Sequence, residues 1–201
     1  MNGKTVPNRQ DISREFTWNA ESVFADIQAW ENEVAAIQLE LKSFTDHQST
    51  FSSNPVKLAD TLEKRDAITQ RLMIVLMYAI ISHEVDKNDQ TAATLPGKAY
   101  GLMAQAQATA AFLEPGILAI GEEITTAWVN SESRLKVYAH YLQNLFRKQA
   151  HVRSAEVEEL LGMLADPFSS TMNTAGVLTD AELKFLPATD SMGEKHEVTQ
   201  G

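Results

Sequence analysis

A β-hairpin signal near its end most constrains the fold of this 201-residue chain, because the rest of the sequence has a helical pattern. Residues 183–186 lead into Pro187, residues 190–193 supply the turn sequence Asp-Ser-Met-Gly, and polar and apolar residues alternate from Glu194 to Thr199. Two strands alone are marginally stable in water, so a third strand or a helical surface has to cover them. Either this helical body or a missing one must supply that surface, and we interpret the sequence as a fragment of a longer chain.

The composition is typical of a soluble chain with its own core. Hydrophobic residues make up 44% of the sequence, and a domain of this length buries roughly 70% of its unfolded surface. The absence of cysteine excludes disulfides and thiolate chemistry and suits a reducing cytoplasm. Residues 1–14 contain no secretory signal, and the longest apolar run, 73–81, is too short to span a bilayer. We expect a cytoplasmic protein with no membrane partner.

The charge balance argues against a nucleic-acid partner. The net charge is -10, and such a chain repels phosphate backbones. Arg147, Lys148 and Arg153 form the one tight basic cluster in the sequence. We interpret it as charge that complements the dipole at a helix C-terminus rather than as a phosphate site.

Periodic apolar residues predict a helical body before the hairpin. Asp26 is typical of a helix N-cap, and the apolar residues after it recur at steps of three and four. They are Ile27, Trp30, Val34, Ile37, Leu41 and Phe44. The stripe is compatible with a coiled-coil seam, but it lasts only about two and a half heptads, which favours packing within a bundle.

A second, longer helix is predicted from Asn54 as N-cap and Pro55 at the first helical position. It should run to about Glu84, with one polar face in its first half. Residues 72–81 are apolar on nearly every side. We therefore expect the second half of this helix to be the most buried helical segment.

Pro96 and Gly97 should kink or delay the third helix, which is expected to reach Leu113. Its small residues would let a neighbouring helix approach closely: Gly101, Ala104, Ala106, Ala108, Ala110 and Ala111. The sequence Glu-Pro-Gly at 114–116 should end this helix and begin a short one through Ile120.

Cap signals predict further helices in the second half of the chain. A short helix should cover residues 122–130, and Ser133 should cap a helix over 134–147. Ser154, and Asp166 followed by Pro167, repeat the cap signal.

The predicted fold class is mainly α: a multi-helix bundle of long antiparallel helices with a C-terminal β-hairpin. We expect a polar arm at 1–18, a helical domain at 19–182 and the hairpin at 183–201.

The search for chemistry identifies no catalytic, cofactor-binding or metal-ligating residue. His83 and Glu84 begin a zinc-peptidase pattern, but Lys87 stands where the second histidine is required. The five histidines, His47, His83, His140, His151 and His196, are dispersed along the chain. His140 is interpreted as a packed or half-exposed residue, and Tyr138, Tyr141, Leu142, Leu145 and Phe146 as core and its border.

An ordered set of segments carries a family resemblance. They are residues 9–12, 15–19, 112–118, 138–142, 151–156 and 180–185, followed by the hairpin that closes at 198–201. Together they resemble the N-terminal region of oligoendopeptidase F, in the thimet-like M3 family of zinc peptidases. Each segment is weak alone, but the order covers nearly the whole chain.

The resemblance implies the N-terminal part of a helical clamshell enzyme that hydrolyses short peptides around a deep cleft. Zinc is the implied cofactor of the full-length enzyme, with its ligands and catalytic glutamate in a later catalytic domain. No position here matches them, so the chain alone should be inactive. Its implied partners are its own catalytic domain and oligopeptide substrates, and its implied role is to form a wall of the cleft. Pro96 and Gly97 depart from the family pattern, which suggests an unbroken helix there.

Two other readings remain open at this point. A stand-alone helical module could bind a partner through the stripe from Ile27 to Phe44 or through the hairpin edge. A degenerate bundle enzyme could use dispersed residues that no spacing rule reveals. If the chain is a fragment, its uncovered apolar surface should also drive self-association.

Overall fold

The computed structural model describes residues 11–86 and 89–149, the segment 185–196, and positions 171, 174, 175, 178 and 198. The chain divides into two compact units, one of residues 13–150 and one of residues 1–12 with 151–201. The described helices are α1 (Ile27–Phe44), α2 (Pro55–Val85), α3 (Leu95–Ala110), α4 (Leu113–Ile120), α5 (Glu122–Ser131) and α6 (Ala139–Gln149). The strands are β1 (Ala188–Thr189) and β2 (Lys195–His196). The predicted mainly α class with a hairpin is confirmed.

Helix α1 begins where the sequence predicts. The Asp26 carboxylate accepts a hydrogen bond from the backbone N–H of Ala29 at 2.7 Å, which satisfies one of the free donors of the first turn. Five of the six stripe residues are buried, from Trp30 to Phe44. Ile27, in the first turn, is 37% exposed.

Helix α2 forms the centre of the bundle and contacts both α1 and α3. Asn54 caps it by accepting a hydrogen bond from the N–H of Lys57 at 3.0 Å. The indole N–H of Trp30 donates to the carbonyl oxygen of Val75 at 2.9 Å, a buried hydrogen bond between α1 and α2. This bond ties the two helices at the level of the core.

Residues 72–81 are apolar on nearly every side, but they are not buried on every side. Leu72, Val75 and Ala79 are buried, but Met73, Ile74 and Met77 are 42%, 44% and 46% exposed. The described neighbours of α2 cover one side of the helix and leave these three residues in contact with solvent. Apolar side chains are common on protein surfaces, so an apolar run by itself does not establish burial.

The break at Pro96 is a delayed start rather than a kink. A 3₁₀ turn at Ala92–Thr94 precedes α3, and Pro96 lies in the first turn, where its missing N–H costs no helical hydrogen bond. The helix ends at Ala110 rather than at Leu113. The expected close approach along the small residues is not general, since a Cβ at Gly101 would meet nothing within 4 Å.

A close approach occurs instead at Gly116, inside α4. A Cβ at this position would lie 2.2 Å from the ring atom Cζ of Phe51. The sequence Glu-Pro-Gly therefore lies within the first turns of α4, which begins at Leu113. Phe51 also contacts Phe112, with ring centroids 5.3 Å apart, so the loop before α2 packs on the α3–α4 connection.

The predicted cap at Ser133 is wrong. Glu132 is the cap, because its carboxylate accepts the N–H of Arg134 at 3.1 Å. A 3₁₀ segment, Ser133–Tyr138, then leads into α6. The Arg134 guanidinium pairs with Asp60 at 2.8 Å and with Glu63 at 3.1 Å, which joins this segment to the first half of α2. Arg147 and Lys148 lie in the last turn of α6, as the dipole interpretation predicts.

The hairpin is shorter than predicted. Its two strands pair antiparallel, with Ala188 opposite His196 and Thr189 opposite Lys195. Gly193 has a φ of 81°, which an L side chain rarely adopts, and Asp190 closes the turn by accepting the N–H groups of Met192 and Glu194. Phe185 and Leu186 precede the pairing and are exposed.

Several predictions fall on residues outside the described ranges. They are the caps at Ser154 and Asp166, the basic residue Arg153, His151, most of the polar arm and the first residues of the predicted hairpin.

Helix α2 is the one helix in the described ranges that is long and apolar enough to cross a membrane by length and composition. The same helix carries Arg71, which forms ion pairs with Glu33 and Glu40 of α1. Its buried residues belong to the core that α1 and α3 share. We therefore interpret α2 as the core helix of this bundle.

Candidate functional site

An apolar groove opens on the surface of the helical unit between the middle of α2 and the second half of α3. Its volume is about 360 Å³. Leu41 and Phe44 of α1 form its floor and are only 3% and 2% exposed. The walls come from the helices on either side: Arg65, Ile68, Thr69, Leu72 and Met73 of α2, and Met103, Ala106, Gln107 and Ala110 of α3. Arg65 is the one charged side chain in this lining.

The groove continues into an exposed apolar strip on α2. Met73 lines the groove, and Met77 follows it one turn later on the same face. Ile74 lies beside both, and all three side chains are more than two-fifths exposed. We refer to Met73, Ile74 and Met77 as the methionine strip.

Arg65, the charged residue in the groove lining, contacts side chains of the 3₁₀ segment Ser133–Tyr138 and of α6. The guanidinium of Arg65 lies 5.0 Å from the ring centroid of Tyr141 and 6.0 Å from that of Tyr138, and it pairs with Asp66 at 2.7 Å. Burial first, and then the hydrogen bond to Asp66, raises the pKa of Tyr138 to about 12. The Arg65 guanidinium is thus already paired with groups of this chain, and the groove offers mainly apolar contacts.

The four histidines in the described ranges, His47, His83, His140 and His196, do not form a cluster. His47 Nδ1 is 2.9 Å from the hydroxyl of Thr61, which itself donates to the carbonyl of Lys57, so the imidazole N–H donates to Thr61. His140 is exposed rather than packed, and its Nε2 lies 2.8 Å from Asn144 Nδ2. Tyr138, Leu142 and Leu145 are buried and Tyr141 and Phe146 half-buried, which confirms the predicted core and border.

The zinc-peptidase-like pair lies at the C-terminal end of α2. His83 is half-buried and Glu84 is exposed, while Lys87 lies outside the described residues. The Nδ1 atom of His83 is buried and has no hydrogen-bond partner in the described part of the chain. No cluster of possible metal ligands in the described ranges includes His83.

One group of possible ligands does occur in the described ranges, at the hairpin turn. Asp190, Glu194 and His196 place their ligand atoms within 4.8 Å of one another. The carboxylate of Asp190 already accepts hydrogen bonds from two backbone N–H groups and lies 2.8 Å from His196 Nε2. The His196 contact first, and then the backbone bonds, lowers the pKa of Asp190. These bonds explain the group as the closure of a turn, so it does not fit a zinc site.

Comparisons with known proteins show what this chain is similar to. A family model described as Oligopeptidase F, for the N-terminal part of M3 peptidases, matches residues 117–185. Oligopeptidase PepF of Bacillus subtilis is 27% identical over 98% of this chain and 29% of its own length. An oligoendopeptidase F homolog of Lactococcus lactis is 28% identical over 96% of this chain and 32% of its own length. The resemblance to the N-terminal region of oligoendopeptidase F is confirmed.

The fold of the chain is similar to that of a solved oligoendopeptidase-F. The crystal structure of oligoendopeptidase-F from Enterococcus faecium superposes with a TM-score of 0.70, over 87% of this chain and 35% of that one, at 24% sequence identity. The chain spans about a third of the length of the curated relatives it matches. None of these matches supports the stand-alone interaction module.

Sequence reasoning missed the groove. The stripe on α1 and the apolar residues of α2 were visible, but the groove depends on how α1, α2 and α3 pack together in three dimensions. The pair Met73 and Met77 with Met103 was the available signal, because methionine is common on adaptable binding surfaces.

Proposed function

We propose that this chain is the helical N-terminal part of a zinc-dependent oligoendopeptidase that hydrolyses short peptides in the cytoplasm. The observation that carries the proposal is the match of 96% to 98% of the chain to peptidases of which it covers only about a third. A match of this extent favours one part of such an enzyme over an unrelated helical module.

We assign this part a structural role at the substrate cleft. Helices α1, α3 and α5 pack on α2, and buried contacts and ion pairs join them into one body. Such a body can limit which peptides reach a cleft without touching the reacting atoms. Zinc and the catalytic glutamate are proposed for the remaining two thirds of the enzyme, since neither the His83 pair nor the Asp190 group fits a zinc site.

The test is to express the natural reading frame and the isolated chain in parallel. The product of the full reading frame should contain about one zinc per protein and should cleave a short internally quenched peptide, with loss of activity on chelation. The isolated chain should do neither. Stoichiometric zinc with turnover in the isolated chain, or a natural product without peptidase activity, would overturn the proposal.

A further inference from the structure

We propose that the groove and the methionine strip form the docking surface for the part of the protein that follows this chain. The inference rests on the proposed function, and it assigns the surface through which the two parts meet. Its first support is the burial pattern along α2. On one side of this helix Val75 and Ala79 are fully buried, whereas Met73, Ile74 and Met77 on the other side are 42% to 46% exposed.

The lining defines the chemistry of the occupant. The floor and walls are apolar apart from Arg65, Thr69 and Gln107, and Arg65 is engaged by Asp66 and two tyrosine rings. A segment that places leucine, phenylalanine or methionine side chains into the groove would lose no charge pairing. The flexible side chains of Met73 and Met103 can adjust to such residues. The surface therefore suits the apolar face of a helix rather than a charged ligand.

The remainder of the protein is favoured over a second copy by the length of chain available and by charge. About two thirds of each relative lies outside the region matched here. A connected segment docks at the entropic expense of closing a loop, whereas a separate molecule loses its translational and rotational freedom. Two copies of a chain with net charge -10 also repel each other, so pairing of copies needs a high protein concentration.

The experiment measures the reactivity of introduced thiols; this chain has no cysteine of its own, and peptide mass spectrometry separates each introduced thiol from any thiol in the remainder of the longer protein. Met73→Cys and Met77→Cys report on the docking surface. Val56→Cys is the matched control, because Val56 lies on the same helix and is 47% exposed, against 46% for Met77. Each variant is made in the isolated chain and in the product of the full reading frame, and maleimide labelling is followed by peptide mass spectrometry at several dilutions.

We expect labelling of Met73→Cys and Met77→Cys to be at least about tenfold slower in the longer protein than in the dilute isolated chain, with Val56→Cys changed by less than about twofold. Hydroxyl-radical oxidation of Met73 and Met77 in the unsubstituted proteins should show the same protection, which removes any dependence on folding of the variants.

The outcomes separate this inference from the proposed function. Equal labelling in both proteins, with the longer one an active zinc peptidase, overturns the docking surface and leaves the function intact. Protection in a longer protein without zinc or activity supports docking and overturns the function. Protection that disappears on dilution, or that is already complete in the dilute isolated chain, overturns docking by the remainder, as does a natural product that ends near Gly201.

Discussion

The two sides of α2 differ in how completely they are paired. Toward α1, the helix buries Val75 and Ala79, receives the indole hydrogen bond of Trp30, and carries the ion pairs of Arg71 with Glu33 and Glu40. Toward the groove, it presents the methionine strip to solvent. The first side is an interface complete within the bundle, and the second has the composition of an interface without its partner. The contrast between the two sides of α2 therefore identifies the surface that lacks a partner within the bundle.

The largest effect should follow from truncating the centre of the complete side. Trp30→Ala removes a fully buried side chain and its hydrogen bond to Val75, so we expect a loss of about 3 to 5 kcal/mol in the free energy of unfolding. Met77→Ala, on the incomplete side, should cost less than about 1 kcal/mol in the isolated chain. Urea denaturation followed by circular dichroism measures both, and equal losses would contradict the distinction.

A second prediction compares two helical glycines. Gly116→Ala should lower the free energy of unfolding by about 1 to 3 kcal/mol, because its Cβ would overlap the buried ring of Phe51. Gly101→Ala should instead raise it by up to about 1 kcal/mol, since nothing lies within 4 Å and alanine is the better helix former. Thermal unfolding of both variants tests the pair; a neutral Gly116→Ala would show that the Phe51 ring moves freely.

Much of the fold could be predicted because local chemistry determines it. Asp26 and Asn54 satisfy free N–H groups of the first helical turn within a few residues, so their caps follow from sequence. Glu132 rather than Ser133 is the cap, because the Glu132 side chain reaches the backbone N–H of Arg134. The guanidinium of Arg134 donates to the same carboxylate. The exposure of Met73 could not be predicted, because it depends on which elements pack against α2 in three dimensions.

A third prediction concerns the ion pairs on the complete side. The hydrogen bonds of Lys64 and then of Arg71 lower the pKa of Glu40 in the folded chain. The stabilisation is therefore fully present above the pKa of Glu40 in the unfolded chain and is lost as the pH falls through its lower folded value. Glu40→Gln should cost about 1 kcal/mol at neutral pH and nothing at pH values below the folded pKa. Denaturation midpoints of Glu40→Gln and of the parent chain should converge as the pH falls from neutral to below the folded pKa of Glu40. A difference in midpoint that stays constant with pH would contradict the ion pairs as its cause.

Substitutions in the methionine strip should have the smallest effect on stability but a clear effect on association. The isolated chain should self-associate at about 0.1 mM through its exposed apolar surface. Met73→Lys with Met77→Lys should reduce the association and change the free energy of unfolding by less than about 0.5 kcal/mol. Light scattering measures the first and denaturation the second. A monomeric parent chain at this concentration would contradict the prediction.

The most direct test of the account is the intact mass of the natural protein in its source cells, detected with an antibody to this chain. A chain that covers 29% to 33% of its relatives implies a mass roughly three times the 22.3 kDa of the sequence described here. A mass in that range would confirm that the helical unit is one part of a larger peptidase-like protein. A mass close to 22.3 kDa would contradict both the enzyme and the docking surface.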